Sequence, residues 1–119
     1  MEIKKEIKKD SYAVRITAEE DGKILGWAYF YVIFQDRHEE PYGLIENVYV
    51  EEEYRSRGVG TKLVETVIQE ARDRNCYKLI GHSRTFKTKV HGFYEKLGLK
   101  KFGFEFRMDL KESKPKQRD

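Results

Sequence analysis

A glycine-rich turn is the part of this sequence best suited to bind a charged ligand. It spans Arg55–Thr61, reads Arg-Ser-Arg-Gly-Val-Gly-Thr and joins a strand-like segment to an amphipathic helical one. Two glycines let the backbone curl without Cβ clashes, so successive N–H groups can point at one spot. A helix start adds unpaired N–H groups, and arginine side chains match phosphate oxygens. The turn predicts a phosphate site, the alternative being a glycine turn that binds nothing.

Two familiar phosphate-binding motifs do not fit this turn. The Rossmann fingerprint needs a third glycine where this chain has Leu63. A P-loop needs Gly-Lys-Ser/Thr, whereas Gly60 is followed by Thr61 and Lys62. Neither a dinucleotide site nor a nucleoside triphosphate site is supported.

The spacing of apolar residues predicts the elements that position the turn, in the order β-β-β-α-β-α-β. Apolar residues on both faces of the second strand indicate that it is covered on both sides. Antiparallel hairpins followed by a β-α-β crossover predict an α/β fold, a single-domain mixed sheet with helices on both faces. The expected strands are Tyr12–Ala18, Ile24–Phe34, Leu44–Val50, Cys76–Ile80 and Lys101–Leu110, and the expected helices are Val59–Ala71 and Thr85–Leu97.

Length and composition further limit the kinds of protein that the sequence can encode. The 119 residues suit one domain, expected over 1–110, with a charged flexible tail over 111–119. No apolar run approaches the roughly 20 residues of a membrane span. The single Cys76 excludes an internal disulfide and favours a reducing, cytoplasmic location, and no metal-ligand spacing is recognisable. A net charge of +3 does not demand a polyanionic partner.

Two motifs in the right order resemble those of the GCN5-related N-acetyltransferases, the GNAT family. Arg-x-x-Gly-x-Gly follows a strand that ends Val48-Tyr49-Val50, as in the acetyl-CoA motif of that family. Phe-Tyr-Glu-Lys-Leu-Gly-Leu over residues 93–99 resembles the family's later helix and the strand after it. The resemblance covers roughly Ile24 to Leu110 and implies an acetyltransferase domain.

The resemblance also implies where acetyl-CoA, the co-substrate, binds. The backbone of Val48–Val50 would hydrogen-bond the pantetheine arm, as an added strand would. The N–H groups of the turn would hold the pyrophosphate. Two neighbouring strands would splay apart to admit the cofactor. The residues so assigned to acetyl-CoA are Val48, Tyr49, Val50, Arg55, Ser56, Arg57, Gly58, Val59, Gly60 and Thr61.

Tyr94 matches the family's tyrosine that protonates the leaving thiolate. A tyrosine has an ordinary pKa near 10 and remains a proton donor at neutral pH, although core packing would also explain Tyr94. The amine would attack the thioester directly through a tetrahedral intermediate, with the Val50 N–H stabilising the oxyanion.

Glu46 is the candidate base. It is a lone carboxylate in an apolar strand, expected on the same side as Val48 and Val50, where burial would raise its pKa. Alternatively it pairs with a basic side chain or only orients the amine. His91, for which a surface or structural role is favoured, His82 and a water relay are further candidates.

Two departures from the family pattern affect the expected site. The usual N-terminal strand and helix pair are missing ahead of the hairpin, where only Met1–Asp10 stands. The acceptor site would therefore be open or completed by a second subunit. Lys87 stands where the family often has an asparagine that contacts the cofactor, and it would reach a CoA phosphate or face solvent.

Three functions are compatible with these features. The main hypothesis is an acetyl-CoA-dependent N-acetyltransferase acting on a primary amine of a small molecule or peptide. The second is a non-catalytic CoA-binding module. The third, which is disfavoured, is a binder of single-stranded nucleic acid through basic residues interleaved with Phe86 and Phe93. We also expect a homodimer, with contacts through the Met1–Lys9 arm and the sheet edge beside it.

Overall fold

The computed structural model describes residues 1–116 of the chain. Its strands form one mixed sheet in the order β1-β2-β3-β4, antiparallel except for the parallel pair β3 and β4. The α/β class and the mixed sheet are as predicted. The elements are β1 (Tyr12–Glu20), β2 (Lys23–Ile33), β3 (Tyr42–Val50), a 3-10 turn (Glu52–Tyr54), α1 (Val59–Asp73), β4 (Leu79–Gly81) and α2 (Thr88–Lys96).

A two-residue turn makes β1 and β2 a hairpin. Glu20 pairs with Lys23, and the two residues between them have positive φ, 51° at Asp21 and 78° at Gly22. Asp-Gly is a preferred pair for such a turn, because its backbone twist matches that of the strands. The hairpin predicted from sequence is therefore present.

A bulge at Asn47 interrupts the pairing of β2 with β3. Trp27 pairs with Tyr49 but Tyr29 pairs with Glu46, so Ala28 faces two residues of β3 instead of one. Asn47 has a φ of 52°, which accommodates the extra residue. Because a bulge reverses the alternation of side chains, residues before it and after it change faces.

The core lies between α1 and one face of the sheet. The helix buries a stripe that packs on alternate residues of β2 and on Ile45. Phe93 and Tyr94 of α2, and Leu97 directly after it, pack against this same cluster. The buried side chains of the cluster are Ala28, Phe30, Val32, Ile45, Leu63, Val64, Val67 and Ala71.

The second face of β2 differs from the prediction. Trp27, Tyr29, Tyr31 and Ile33 are only half-buried, whereas complete cover was expected. In the described part of the chain, Phe93 and Tyr94 of α2 pack against the same cluster as the stripe of α1, although helices on both faces were expected. Stacking of Tyr29 on Tyr31, with ring centroids 6.4 Å apart, shields part of this face instead.

The elements around β4 are shorter than predicted. Cys76 and Tyr77 donate their N–H groups to Ala71 and Pro41, so they lie outside the strand ladder that begins at Leu79. Helix α2 begins at Thr88 and not at Thr85, because a turn closed by Lys87 N–H and Arg84 C=O precedes it. The helix ends as predicted, with Gly98 at a φ of 102°.

The last predicted strand, Lys101–Leu110, is absent. Its alternation is typical of a strand, but no ladder partner is present among the described residues, and a strand needs one. Its apolar side chains Phe102, Phe104, Phe106, Met108 and Leu110 are between 81% and 101% exposed. Met1–Lys9 likewise forms no helix or strand and is exposed, and the predicted tail extends beyond the described residues at 117–119.

Within residues 1–116, no helix combines the length and the apolar character needed to cross a membrane.

Candidate active site

The strands β3 and β4 separate where the turn and α2 approach them. They pair only at Gly43–Ile45 and Leu79–Gly81, although β3 continues to Val50. Beyond Ile45, this edge of β3 has no strand beside it in the described residues. The splayed pair predicted from sequence is therefore present, and it leaves an open edge.

The open edge presents the backbone of Val50. Glu51 donates its N–H to Leu25 of β2, so the alternation of a strand directs the N–H and C=O of Val50 away from β2. The Val50 carbonyl accordingly accepts a hydrogen bond of 2.9 Å from Arg55 Nε on that side. A ligand beside β3 would meet backbone donors and acceptors, as a further strand would.

A cavity of about 290 Å³ lies where the end of β3 meets the start of α1. Ser56 and Gly58 hold the turn in left-handed conformations, with φ values of 65° and 82°. No side chain of the described residues caps α1, so its first N–H groups are free to face an anion. The cavity is lined by Val50, Tyr54, Arg55, Ser56, Gly58, Val59, Gly60, Thr61 and Phe93.

The two arginines of the turn have protein partners. Arg55 binds the Val50 carbonyl, and its guanidinium lies 5.4 Å from the centre of the Tyr49 ring. Arg57 is 3.7 Å from a carboxylate oxygen of Glu20. Arg55 lines the cavity, whereas Arg57 does not. The geometry therefore favours Arg55 over Arg57 as a contact for an anion.

A second cavity, of about 340 Å³, lies at the ends of β3 and β4. It adjoins the first, because Val48 and Tyr94 line one cavity while Val50 and Phe93 line the other. Together they form a groove along β3 and α2, which we call the β3–α2 groove. The second cavity is lined by Ile45, Glu46, Asn47, Val48, His82, Ser83, Arg84, Lys87, Val90, Tyr94 and Glu105.

Tyr94 is half-buried in this groove, beside the open ends of both strands. A Cβ placed on Gly81 would lie 3.7 Å from its ring. Burial raises the pKa of the Tyr94 hydroxyl, and the negative charge of Glu46 raises it further. Tyr94 therefore remains a proton donor at neutral pH, and it packs against the core as well.

The structure supports assignment to a family at this point. The model of the acetyltransferase (GNAT) family matches residues 2–99, which is most of the chain. The chain belongs to the GNAT family. The splayed strands and the glycine-rich turn are thus features of a GNAT acetyltransferase domain.

Two solved structures are similar in both sequence and fold. An acetyltransferase from Trypanosoma brucei is 31% identical, with a TM-score of 0.73 over 82% of this chain and 69% of that one. A putative acetyltransferase from Agrobacterium tumefaciens is 35% identical, with a TM-score of 0.69 over 77% and 66% of the two chains.

Curated relatives include N-acetyltransferases with different acceptors. Glucosamine 6-phosphate N-acetyltransferase of Trypanosoma brucei brucei is 38% identical over 68 residues, which are 57% of this chain and 44% of the relative. A putative ribosomal protein bS18-alanine N-acetyltransferase of Bacillus subtilis is 22% identical over 82% of this chain and 61% of the relative. This GNAT domain therefore spans about half the length of these relatives.

Glu46 does not occupy the environment predicted for it. Its side chain is 48% exposed. Because of the bulge at Asn47, Glu46 lies on the face of Tyr29, whereas Val48 and Val50 pack on the core. The burial expected from the sequence is absent, although Glu46 does line the groove.

His82 and Glu105 line the groove on the same side as Glu46. His82 Nδ1 lies 3.8 Å from Glu46 Oε1 and 3.5 Å from Glu105 Oε2. His82 was the weakest of the sequence candidates, and Glu105 was not one. The feature of the sequence that could have identified His82 is its position directly after a strand that splays from its neighbour.

The structure also shows the positions of His91, Arg84 and Lys87. His91 Nε2 lies 2.8 Å from the carbonyl oxygen of Arg84, which gives it the structural role favoured from sequence. Lys87 and Arg84 line the Tyr94 end of the groove and not the turn. The geometry therefore puts Lys87 away from the predicted phosphate site.

Proposed function

We propose that this GNAT domain is an N-acetyltransferase that transfers the acetyl group of acetyl-CoA to a primary amine. The observation that carries the proposal is the β3–α2 groove, which joins an uncapped helix start to a protonated tyrosine. One end suits a pyrophosphate and the other suits a thioester. The matched family and the N-acetyltransferases among its relatives support this function.

The donor set of the groove fits acetyl-CoA. The left-handed Gly58 and the free N–H groups at the start of α1 suit the pyrophosphate, with Arg55 as a cationic neighbour. The edge of β3 at Val48 and Val50, which has no strand beside it within residues 1–116, suits the amides of the pantetheine arm. The remaining sequence assignments, Tyr49 and Ser56 to Thr61, stay part of this proposal.

The residues of the groove have distinct roles in the transfer. The Val50 N–H faces the open edge and would stabilise the oxyanion formed when the amine attacks the carbonyl carbon. As the new C–N bond forms, the C–S bond breaks, and Tyr94 would donate its proton to the sulfur. Glu46 stays a candidate for binding the incoming ammonium or accepting its proton.

The acceptor is proposed to be a small molecule or peptide that carries a primary amine. Glu46 and Glu105 line the mouth of the groove together with Arg84 and Lys87, and their carboxylates are the groups there that can pair with an ammonium group. The acceptors in the names of the relatives, glucosamine 6-phosphate and an alanine of ribosomal protein bS18, are the first amines to try. Because Cys76 is a free thiol, we also propose a cytoplasmic location.

Thermal unfolding with and without acetyl-CoA tests the first step of this proposal. A ligand at 100 times its Kd adds about 2.7 kcal/mol, which raises the Tm of a domain this size by roughly 10 °C. NAD and ATP serve as controls and should not raise the Tm. No rise at millimolar acetyl-CoA would refute the proposed site.

Release of free thiol tests the transfer itself. The two acceptors named above, spermidine and an aminoglycoside form a small amine panel. Turnover of any of them would exclude the non-catalytic CoA-binding alternative. Binding of acetyl-CoA without turnover of any amine would favour that alternative. Of the two phenylalanines in the nucleic-acid alternative, Phe93 packs against the core and is not available for base stacking, whereas Phe86 is 70% exposed.

We further propose that the exposed stripe Lys101–Leu110 pairs with a second copy of the chain. In an antiparallel pair with Phe106 on the two-fold axis, Phe102 faces Leu110 and Phe104 faces Met108. This surface replaces the Met1–Lys9 arm as the proposed contact of a homodimer, since the stripe is more apolar and better patterned.

A further inference from the structure

His82 occupies an acidic corner at the mouth of the β3–α2 groove. It follows Gly81, the last residue of β4, so the splayed strand ends directly at its side chain. Its Nδ1 lies 3.8 Å and 3.5 Å from carboxylate oxygens of Glu46 and Glu105. These distances exceed those of hydrogen bonds, so the carboxylates act on the imidazole by charge.

The two carboxylates favour one tautomer of His82. A proton on Nδ1 lies between two negative charges, whereas a lone pair there would face them. The other ring nitrogen, Nε2, then keeps its lone pair, and it makes no hydrogen bond within residues 1–116. The ring is 43% exposed, so Nε2 can meet an incoming amine and exchange protons with water.

We propose that His82 Nε2 is the base that takes a proton from the acceptor ammonium, and that Glu46 and Glu105 are its positioning residues. The inference rests on the proposed acetyl transfer. It assigns the role of proton acceptor to His82, where Glu46 would otherwise be the candidate. Imidazole suits the role, because histidine changes charge near neutral pH. Glu46 and Glu105 stabilise the imidazolium that forms, and they hold Nδ1–H toward themselves.

The proton balance of the transfer fits this division of roles. The acceptor ammonium loses two protons in becoming an amide. His82 Nε2 takes the first, which frees the attacking lone pair, and passes it to water through the exposed side of the ring. Tyr94 gives its own proton to the sulfur as the C–S bond breaks. The second proton of the nitrogen then restores the Tyr94 hydroxyl.

Other charged groups surround His82 in the same cavity. Glu46 comes from β3, Arg84 and Lys87 from the loop between β4 and α2, Tyr94 from α2, and Glu105 from the segment after it. Tyr94 keeps its proton well into the alkaline range, because its pKa is raised. A change of activity with pH around neutrality therefore does not report the acid.

Replacement of His82 by glutamine is the direct test. The assay uses the panel amine that the wild type acetylates fastest. With this amine, His82→Gln should lower kcat/KM about 10²-fold near neutral pH. The rise of Tm with acetyl-CoA should stay unchanged. The deficit should shrink as the pH passes the pKa of the chosen amine, about 8 for an α-amino group and about 10 for a lysine-like amine, because the amine then loses its proton without help. His38→Gln, in an exposed loop outside both cavities, is the matched control and should have wild-type kinetics.

Chemical rescue separates a base from a structural residue. Free imidazole should restore part of the activity of His82→Ala and none of that of Tyr94→Phe. Glu46→Gln and Glu105→Gln should each give a smaller deficit than His82→Gln, with the acetyl-CoA rise in Tm retained.

The outcomes distinguish this inference from the proposed function. Wild-type kinetics of His82→Gln, or a deficit that is constant with pH and not rescued by imidazole, would overturn the role of His82 while acetyl transfer stands. If wild type acetylates no amine of the panel, the transfer itself fails, and the role of His82 with it.

Discussion

Arg55 Nε donates a hydrogen bond of 2.9 Å to the carbonyl oxygen of Val50. The bond joins the glycine-rich turn to the last residue of β3, where the open strand edge begins. The guanidinium also lies over the Tyr49 ring, so Arg55 is held from two sides. The turn and the strand edge are therefore fixed relative to each other before any ligand is bound.

Loss of this hydrogen bond should weaken acetyl-CoA binding. We expect Arg55→Gln to raise the Kd about tenfold or more, since hydrogen bonds to charged groups contribute about 1.5–3 kcal/mol. Arg55→Lys should recover only part of the affinity, because it restores the charge without the planar donor group. Calorimetric titration measures both. Arg72→Gln removes the same charge at the far, exposed end of α1 and should leave the Kd unchanged.

The turn at Gly58 should tolerate no acidic side chain when acetyl-CoA binds. Gly58 and Gly22 both have positive φ, 82° and 78°, and both have open space where a Cβ would lie. Gly58→Glu and Gly22→Glu should therefore lower the Tm by similar amounts, since the backbone strain is alike. Only Gly58→Glu should abolish binding, because its charge faces the phosphates. Retained affinity in Gly58→Glu would refute the phosphate site.

Much of the fold follows from local patterns of the sequence. The hairpin at Asp21 and Gly22 and the stop of α2 at Gly98 depend on residues that adopt positive φ readily. Helix α1 starts at the predicted residue and ends two residues later than predicted, because its apolar stripe faces a single core. Each of these elements is determined by residues that lie within it or next to it in the sequence.

The errors in the prediction arise where distant contacts decide the structure. The bulge at Asn47 moves Glu46 to the other face from Val48, and simple alternation does not reveal it. Lys101–Leu110 has the pattern of a strand but no ladder partner in the described chain. Glu105 reaches His82 through the path of that same segment, so no local signal could have placed it in the site.

Tyr94→Phe should separate binding from catalysis. We expect kcat to fall about 10²-fold or more while the Kd for acetyl-CoA stays the same, because only the donated proton is removed. Tyr77→Phe, which changes an exposed tyrosine outside both cavities, is the matched control. Thiol-release kinetics and calorimetry together measure the two effects. Unchanged turnover in Tyr94→Phe would refute the acid role.

The raised pKa of Tyr94 also predicts how stability depends on pH. Below the ordinary tyrosine pKa near 10, the hydroxyl is protonated in both folded and unfolded chains and gives no pH dependence. Above it, the unfolded chain releases the proton first, so the folded state loses relative stability until the raised pKa is passed. Denaturant titrations across this range should show a steeper alkaline decline in wild type than in Tyr94→Phe. Equal declines would contradict the effect of burial.

The exposed stripe should be required for self-association and not for folding. Phe106 is 94% exposed, whereas Phe30 is fully buried in the core. Phe30→Ala should therefore lower the free energy of unfolding by about 3–5 kcal/mol, as is usual for a buried phenylalanine. Phe106→Glu should leave the monomer folded but convert the proposed dimer to monomers in sedimentation experiments. Gly103→Lys adds a charge to the opposite face of the segment, where it would face Asp109 of the second copy, and should leave the dimer intact. A dimer that survives Phe106→Glu would show that another surface holds the copies together.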